Sequence, residues 1–424
     1  MNKTKIGIIG LGTVGSGVFK TLKNFPDIEI LKIAVRNINK PRNIDGLDES
    51  LLTVTPEEIV NNQEIDVVAE LMGGINPAYD LVKTAIKNRK HVVTANKELL
   101  AKHGEELFKL AEENNVVILY EAAIAGGIPL IMPIKTILAG NKITKVEAIL
   151  NGTTNYILTN MDENQASYET VLKEAQELGY AEADPTGDVE GFDSTYKLTT
   201  LATITLNKRV KLENVYREGI TKIQAEDIKY ANELGYKIKL VAYANIDENE
   251  NIDVRVHPMF VNKDNTLAHI NYVTNAVTLT GTPIGKITLS GPGAGEMPTA
   301  SSVVGDILSI ARELGTTDYI LPMMRCSHGD SNAKFIPIEE TENKYYLRLI
   351  ANDKVGGIAE IAKVFADKQI NIETILMKEI IENRTAEIVI ITELCKEKLI
   401  RETEKELIKD SCVKKLASMI RINK

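Results

Sequence analysis

Lys5-Ile-Gly-Ile-Ile-Gly10-Leu-Gly12-Thr-Val-Gly15 is the stretch from which the fold follows. Lys5 to Ile9 is a short apolar run of the kind buried in a parallel sheet, where both faces are covered. A helical pattern runs from the glycines through Lys23. The glycines thus form G-x-G-x-x-G in the setting it requires, strand before and helix after. The first permits a tight turn, the second lets a pyrophosphate reach the backbone, and the third lets helix pack on strand. Free N–H groups at the helix start then face the phosphates. Gly10, Gly12, Thr13, Val14 and Gly15 are the expected dinucleotide-binding residues.

The second strand, Glu29 to Val35, ends at Arg36, with Lys40 and Arg42 close behind. A carboxylate at that place would bond the ribose 2′-hydroxyl of NAD, whereas a guanidinium can grip a 2′-phosphate bidentately. The expected cofactor is therefore NADP, with NAD use left open. Ile65 to Leu71, His91 to Thr94 and Val116 to Tyr120 read as further strands, and Pro77 to Asn88 and Ala101 to Glu113 as helices. Such alternation implies a doubly wound parallel sheet. Ligands of these sheets bind beyond the carboxyl ends of the strands. Gly73-Gly74, Asn96-Lys97 and Glu121 to Ile124 all fall there, so Lys97 is placed to reach either cofactor or substrate.

From Gly126 the pattern turns to α+β. Gly126-Gly127-Ile128-Pro129 opens a helix through Leu138, Ile143 to Leu150 is a strand, and Asn151 to Tyr156 is a polar turn at the next helix start. Ile238 to Ala244, Ile252 to Val261 and Tyr272 to Thr280 read as strands of a mixed or antiparallel sheet. Ser290-Gly-Pro-Gly-Ala-Gly295 offers bare N–H groups to an anion or amide, and can equally serve as a hinge. The helix after it, Ser301 to Leu314, is expected to return to the dinucleotide domain. Residues 323–344 read as a linker. Beyond it come strands Tyr345 to Ile350, Ile370 to Lys378, Arg384 to Thr392 and Ser418 to Ile422, with helices Ile358 to Asp367 and Lys396 to Lys409 and a hairpin turn at Glu382 to Arg384. That βαββαβ order is ferredoxin-like. The chain is thus α/β in class: a Rossmann domain over 1–130 joined by the helix of 298–314, an α+β substrate and dimerisation domain over 131–297, and a ferredoxin-like domain over 345–424.

Glu182 to Lys197 (E-A-D-P-T-G-D-V-E-G-F-D-S-T-Y-K) carries the chemistry. Tyr168 to Leu178 reads as a helix ending at Gly179, and Asp193 to Leu206 as the next helix. Asp193 near a helix start is favoured by the free N–H groups, and Lys197 lies one turn on, on the same face. In isolation this reads first as a solvated i,i+4 ion pair. Its place between a dinucleotide fold and a glycine-rich loop turns the reading toward a cradle for a small zwitterion. Within it, Asp184-Pro185 should shape the turn, and Glu190 should be a solvated charge.

The remaining composition mostly excludes. A formal net charge of −9 argues against electrostatic nucleic-acid binding. Cys326, Cys395 and Cys412 are too few and too scattered for a disulfide framework or zinc site. Five histidines lack metal-ligand spacing, and His257 reads as structural. No apolar run approaches the roughly 18 residues that span a bilayer, and the first residues do not resemble a signal peptide. A cytoplasmic, reducing location is expected.

Ala175-x3-Gly179-Tyr-Ala-Glu182-x-Asp184-Pro185-x2-Asp188-Val-x-Gly191-x-Asp193-x3-Lys197 resembles the signature of homoserine dehydrogenases. Thr94-Ala-Asn-Lys97-Glu-Leu-Leu-Ala101, Asn151-Gly-Thr-Thr-Asn155-Tyr156 and Gly291-Pro-Gly-Ala-Gly295 resemble the same family, in its order. The likeness covers about residues 1–325. The rest, with Asp353-x-x-Gly356-Gly357, is similar to an ACT domain, a module that commonly binds amino acids. The resemblance implies reversible conversion of L-homoserine and NAD(P)+ to L-aspartate 4-semialdehyde and NAD(P)H, a branch step toward threonine, isoleucine and methionine. It implies Lys197 as general acid/base, Lys97 as a second catalytic or positioning lysine, and Asp193 bonded to substrate. Glu182 would hold the substrate amino group, with Asp188 supporting it. Gly179 and Gly293 join the implied cofactor contacts. A monovalent cation, sodium, would sit near Glu121, Ile124 and Gly126. Asp353, Gly356, Gly357 and Asn371 would form a threonine site, in a homodimer or homotetramer without an attached kinase. Burial and a neighbouring ammonium would lower the pKa of a base such as Lys197, and Asp193 would raise it. Two other readings share some features: a phosphoglycerate-type dehydrogenase, which lacks a matching catalytic histidine here, and an inactive ligand sensor, against which Lys197, Asp193 and Glu182 speak.

Overall fold

Six parallel strands lie in the order β3-β2-β1-β4-β5-β6: β1 (Thr4–Ile9), β2 (Ile28–Ala34), β3 (Leu52–Thr53), β4 (Val67–Glu70), β5 (His91–Thr94) and β6 (Ile118–Leu119). The computed structural model describes residues 3–314, 333–380 and 385–423. The whole of β4 and β5 is buried, which is why their sequences run apolar without alternation. The strand order reverses between β1 and β4, so the crevice where dinucleotides bind opens there. Helices α1 (Thr13–Leu22), α2 (Glu57–Val60), α3 (Ala78–Lys87) and α4 (Lys97–Glu113) connect these strands.

This sheet belongs to one of two compact units, formed by 1–152, 193–215 and 273–333. The same unit holds α5 (Ala122–Ala125), α6 (Ile131–Lys135), β7 (Lys142–Ile149), α10 (Phe192–Leu206), β11 (Thr274–Thr282), β12 (Gly285–Pro292) and α12 (Glu296–Glu313). Strands β7, β11 and β12 are antiparallel neighbours. Helix α12 does return to the dinucleotide fold. It lies so close to α1 that a Cβ on Gly17 would stand 2.7 Å from the Glu296 carbonyl. Lys20 and Glu296 pair beside that contact at 2.6 Å.

The second unit comprises 153–192, 216–272 and 334–424. It contains α7 (Gly152–Asn164), α8 (Tyr168–Glu177), α9 (Thr186–Val189), β8 (Tyr216–Arg217), α11 (Ala225–Glu233), β9 (Tyr236–Ile246) and β10 (Asn251–Asn262). It continues with β13 (Lys334–Phe335), β14 (Glu342–Asn352), α13 (Gly357–Asp367), β15 (Ile372–Ile380), β16 (Thr385–Thr392), β17 (Cys395–Lys396), α14 (Glu397–Leu407) and β18 (Val413–Ile422). The last segment is ferredoxin-like, with the antiparallel order β18-β14-β16-β15. Tyr345, Leu347 and Leu349 share one face of β14 and bury themselves with Ile361, Phe365, Ile400 and Leu407 from both helices.

Several boundaries differ from the sequence reading. Helix α4 begins at Lys97 rather than Ala101, because Asn96 caps it by accepting the Leu99 N–H. The polar turn expected from Asn151 to Tyr156 is mostly the first turn of α7. Helix α12 starts at Glu296, and β12 was hidden by its small and polar residues. Residues 323–332 of the expected linker, the turn at Glu382 to Arg384 and Cys326 lie outside the described residues. The remainder of the linker is not free chain. Lys334-Phe335 pair with β10, and β14 already begins at Glu342. Nor is the C-terminal module merely tethered: β18 pairs in parallel with β10 through Met259–Arg421 and Phe260–Ile422. Phe260 stacks on Tyr346 with ring centroids 4.5 Å apart. Main-chain pairing of this kind has no periodicity signature in a polar stretch.

Candidate active site

Helix α10 is enclosed almost all round, although it is rich in threonine. Its hydroxyls find partners in the helix itself: Thr199, Thr203 and Thr205 each donate to the carbonyl four residues back. That lets the helix pass through the core and carry Asp193 and Lys197 at a buried start. Both side chains are about nine-tenths hidden, at 8% and 10% exposure, so they are not a surface pair.

Asp193 is the hub. Its Oδ2 accepts from Lys197 Nζ at 2.8 Å and from Asn151 Nδ2 at 2.9 Å. Its Oδ1 lies 2.6 Å from Lys97 Nζ. Lys197 Nζ also donates to the Leu150 carbonyl at 2.7 Å. Burial by itself would push the Asp193 carboxyl up; the Lys197 and Lys97 ammoniums and the Asn151 amide outweigh it and hold the carboxyl well below the usual range. The group is therefore an anion bridging two lysines. One of these is sealed, while Lys97 keeps 44% of its side chain exposed.

Sequence reasoning missed the residues that aim Lys97. Asn96 accepts the Leu99 N–H through Oδ1, donates Nδ2 to the Gly74 carbonyl at 2.6 Å and donates its N–H to Thr94 Oγ1 at 2.9 Å. Glu70, fully buried at the end of β4, accepts from Thr94 Oγ1 at 2.7 Å and from the N–H groups of Met72 and Gly73. Burial raises its carboxyl, against those hydrogen bonds. One network thus ties the turn after β4 to the first turn of α4. An Asn directly before a helical run is a capping signal that could have located Asn96, and Asn151 before α7 as well; Glu70 carries no such signal.

The dinucleotide turn has the expected shape. Gly10 has φ +104°, and a Cβ there would stand 2.8 Å from the Leu71 carbonyl. A Cβ on Gly15 would strike the Gly10 carbonyl at 2.0 Å, while one on Gly12 would meet nothing within 4 Å. A bulky anion can approach Gly12 as the motif requires. A cavity of ≈ 660 Å³ runs from Gly10 and Gly12 past Arg36, Lys40 and Arg42. Arg42 spends its guanidinium on the carbonyls of Asn37, Ile38 and Lys40. Arg36 has no carboxylate partner among the described residues. Thr13 and Val14 open α1, whose first turn holds no acidic residue.

Glu121 is placed differently from a free cation ligand. Its carboxylate accepts three backbone N–H groups, from Leu130, Ile131 and Met132, and so anchors the start of α6. Its own N–H donates to Asp306, whose carboxyl burial and the nearby Glu121 charge push well up. Gly126 has φ +59°, and its carbonyl accepts from Ser302 Oγ at 2.7 Å. The Gly126 turn packs backbone to backbone on Gly293, at a distance only glycine allows.

The other proposed residues lie in the second unit. Glu182 is exposed and Asp188 half-buried; Gly179, with φ +78°, ends α8. Asp184 shapes the turn as expected by accepting the Thr186 N–H. Glu190 is not simply solvated: it accepts from Thr221 Oγ1 at 3.0 Å, and its carbonyl accepts from Arg217. His257 is structural, fully buried against the Pro258 carbonyl. In the C-terminal module, Gly356 takes φ +84° to start α13, and Asp353 and Asn371 are exposed.

Comparison with known proteins agrees with this geometry. Residues 10–121 match the NAD-binding domain of homoserine dehydrogenases, 129–308 the family Homoserine dehydrogenase, and 345–411 the ACT domain. The homoserine dehydrogenase of Synechocystis sp. is 40% identical over 431 residues, covering 99% of each chain. The crystal structure of a homoserine dehydrogenase from Thiobacillus denitrificans superposes with a TM-score of 0.93 at 37% identity, over 100% of this chain and 99% of that one. A hyperthermophilic archaeal homoserine dehydrogenase in complex with NADPH shares 26% identity and a TM-score of 0.62, over 72% and 97% of the two chains.

Proposed function

We propose a mechanism from one premise: the chain belongs to the homoserine dehydrogenase family, and it is an NAD(P)-dependent oxidoreductase with an ACT domain toward its C-terminus. The reaction interconverts L-homoserine and L-aspartate 4-semialdehyde. The observation that carries the mechanism is the buried bridge Lys97–Asp193–Lys197.

In this reading Lys197, as the neutral amine, takes the hydroxyl proton of homoserine in the oxidative direction and, as the ammonium, gives it to the aldehyde oxygen in reduction. The Leu150 carbonyl and Asp193 fix its ammonium from two sides. Asn151 keeps the Asp193 carboxylate from rotating, and the other carboxylate oxygen holds Lys97, whose exposed part touches substrate or cofactor. Nicotinamide, when bound, supplies the hydride acceptor or donor. Gly10, Gly12, Thr13, Val14 and Gly15 receive its pyrophosphate. Arg36, whose guanidinium, unlike that of Arg42, is not spent on neighbouring carbonyls among the described residues, suits a 2′-phosphate, so the preferred cofactor is NADP; the archaeal relative is named in complex with NADPH. Gly179 and Gly293 remain proposed cofactor contacts. Glu182 and Asp188 are proposed to take the substrate ammonium, with Asp193 as a further contact.

A sodium ion at the Glu121–Gly126 turn would take Glu121 and the carbonyls of Ile124 and Gly126 as ligands. The Glu121 carboxylate is committed to three N–H groups and the Gly126 carbonyl to Ser302. No step is assigned to the ion. Threonine as effector at Asp353, Gly356, Gly357 and Asn371, a homodimer or homotetramer, and a cytoplasmic location complete the proposal. No helix among the described residues is long and apolar enough to cross a membrane.

The test is NADP+ reduction by L-homoserine, wild type against Lys197→Ala. Turnover by the wild type alone is the expected result. A wild type that does not turn over would overturn the mechanism, and full turnover by the variant would remove Lys197 from it.

A further inference from the structure

Within the first unit, the Gly293–Ala294 peptide between β12 and α12 runs through a slot that fits only bare backbone. On one side a Cβ on Gly126 would stand 2.3 Å from the Gly293 carbonyl oxygen and 2.9 Å from the Ala294 nitrogen. On the other side a Cβ on Gly293 would stand 2.0 Å from Asn275 Nδ2, 2.1 Å from its Cγ and 2.6 Å from its Oδ1. Three such similar distances mean that Asn275 turns the face of its carboxamide toward Gly293, not an edge. The in-plane N–H and C=O groups are therefore not used on that peptide. Asn275 is 1% exposed, and neither Nδ2 nor Oδ1 has a hydrogen-bond partner among the described residues. Buried amides are nearly always answered, and an unanswered one carries its full desolvation cost. The adjoining helix start is similar: α12 has no side-chain cap, and the N–H groups of Ala294 and Gly295 bond to nothing among the described residues.

The slot has a defined place in the dinucleotide fold. Glu296, at the start of α12, packs on α1, the helix that opens at the phosphate turn. Asn275 precedes Ala276, which pairs with Ile149; the next residue, Leu150, holds Lys197 through its carbonyl. The hydride has to pass close to the group that handles the proton. The reacting end of the cofactor therefore stands between the phosphate turn and Lys197, beside this loop. We propose that Asn275 is a positioning residue for the nicotinamide end of the cofactor, acting through the Gly293–Ala294 peptide. When the loop closes on the cofactor, Ala294 and Gly295 donate to an oxygen of the nicotinamide riboside, and the Asn275 carboxamide gains hydrogen bonds along the loop. A ligand shifts an equilibrium only through interactions that differ between its two states; the two unmade bonds of Asn275 supply that difference. The same amide that weakens the chain without cofactor thus strengthens its hold on the cofactor. The role rests on the NAD(P) reading above and extends it to a side chain that no motif marks.

The test compares the full wild-type chain with Asn275→Ala and with the double variant Asn275→Ala/Gly293→Ala, whose added Cβ refills the space of the lost amide. Thermal unfolding is followed without cofactor, and NADP+ and NAD+ are titrated calorimetrically. Removing an unpartnered amide and refilling its space should leave the double variant unfolding at or above the wild-type temperature. Both variants should nevertheless bind NADP+ about tenfold or more weakly. In homoserine oxidation the KM for NADP+ should rise by a similar factor, with kcat at saturating cofactor within about threefold of wild type. A double variant that unfolds clearly earlier would make the amide a structural one. A wild-type Kd in either variant would show that shape alone sets the loop. Each of these results overturns the proposal. A wild type that binds neither NADP+ nor NAD+ would overturn the cofactor reading and this proposal together, an outcome distinct from failure of the variants alone.

Discussion

Two buried charge clusters, one in each unit, use the same kinds of contact for opposite ends. In the first unit a single carboxylate, Asp193, bridges Lys97 and Lys197, and Lys97 keeps nearly half of its side chain in the open. In the second, Arg421 is clasped by both oxygens of Glu397 at 2.6 and 2.8 Å and by both of Glu218 at 3.1 and 2.9 Å. Tyr345 donates to Glu397 at 2.7 Å, and Arg401 closes the ring. Arg421 and Glu397 are 3% and 2% exposed. Buried ions recover their desolvation cost only when every lone pair and proton is answered. The second cluster meets that condition with geometry at Arg421 and Glu397, which are sealed, while Glu218 and Arg401 at its rim stay about a third exposed. The first leaves the Lys97 side chain 44% exposed, so this fixed charge stays within reach of solvent. The Arg421 guanidinium is held well above its ordinary value, and Glu218 is drawn down to about 2 because Arg421 outweighs the effect of burial. Both mark a permanent pair rather than a titrating one.

If the contrast is right, the two clusters fail differently. The largest effect belongs to Lys197→Ala, which should lower kcat for homoserine oxidation by about 10³-fold, within the range of general acid–base catalysis, while keeping its fold at a lower unfolding temperature, since Asp193 retains Lys97 and Asn151. A variant that loses fold and activity together would make the first cluster a scaffold as well. Arg421→Met should do the reverse. Leaving Glu397 and Glu218 with the partly exposed Arg401 alone should cost about 3–5 kcal/mol of stability in denaturant titration, with kcat per folded molecule largely kept.

Asp193→Asn comes next, with a loss of about 10²-fold in kcat/KM and a defined pH signature. The carboxyl is depressed in the fold below its unfolded value of about 3.9, so its contribution to stability is fully present above that value. It is lost as pH falls toward the lower folded pKa. The stability gap between wild type and variant should therefore be constant near neutrality and narrow below about pH 4. A gap that widens in acid would contradict the sign. The smallest change is expected from Arg36→Glu, which should raise the Kd of NADP+ about tenfold or more and leave that of NAD+ within a few-fold. Equal losses would remove Arg36 from 2′-phosphate recognition.

The part of the site legible in the sequence is the part made of near neighbours. Gly10 to Gly15 and Asp193 with Lys197 each lie within two helical turns, so spacing alone puts them together. Lys97 was legible as a lysine at a strand's end, but its partner was not, because nothing local links it to Asp193. Asn151 was legible as part of a motif, but its bond to Asp193 was not, and Glu70 reaches Thr94 through a long-range hydrogen bond that leaves no pattern. Glu190 gains its neighbours in the same way: Thr221, in an exposed bond, and Arg217, at the backbone carbonyl, come from a distant segment.

By itself, then, the sequence determined the parallel nucleotide-binding sheet, the ferredoxin-like C-terminal module and the family, and it singled out the residues proposed to react, because apolar period, glycine placement and short motifs are local properties. Only the tertiary structure decided that Asp193 and Lys197 are buried rather than solvated, that Asp193 also holds Lys97, and that the C-terminal module shares a sheet with β10. Burial and long-range pairing depend on what the rest of the chain places around a residue, and the same Asp-x-x-x-Lys on an exposed helix would be an ordinary surface pair.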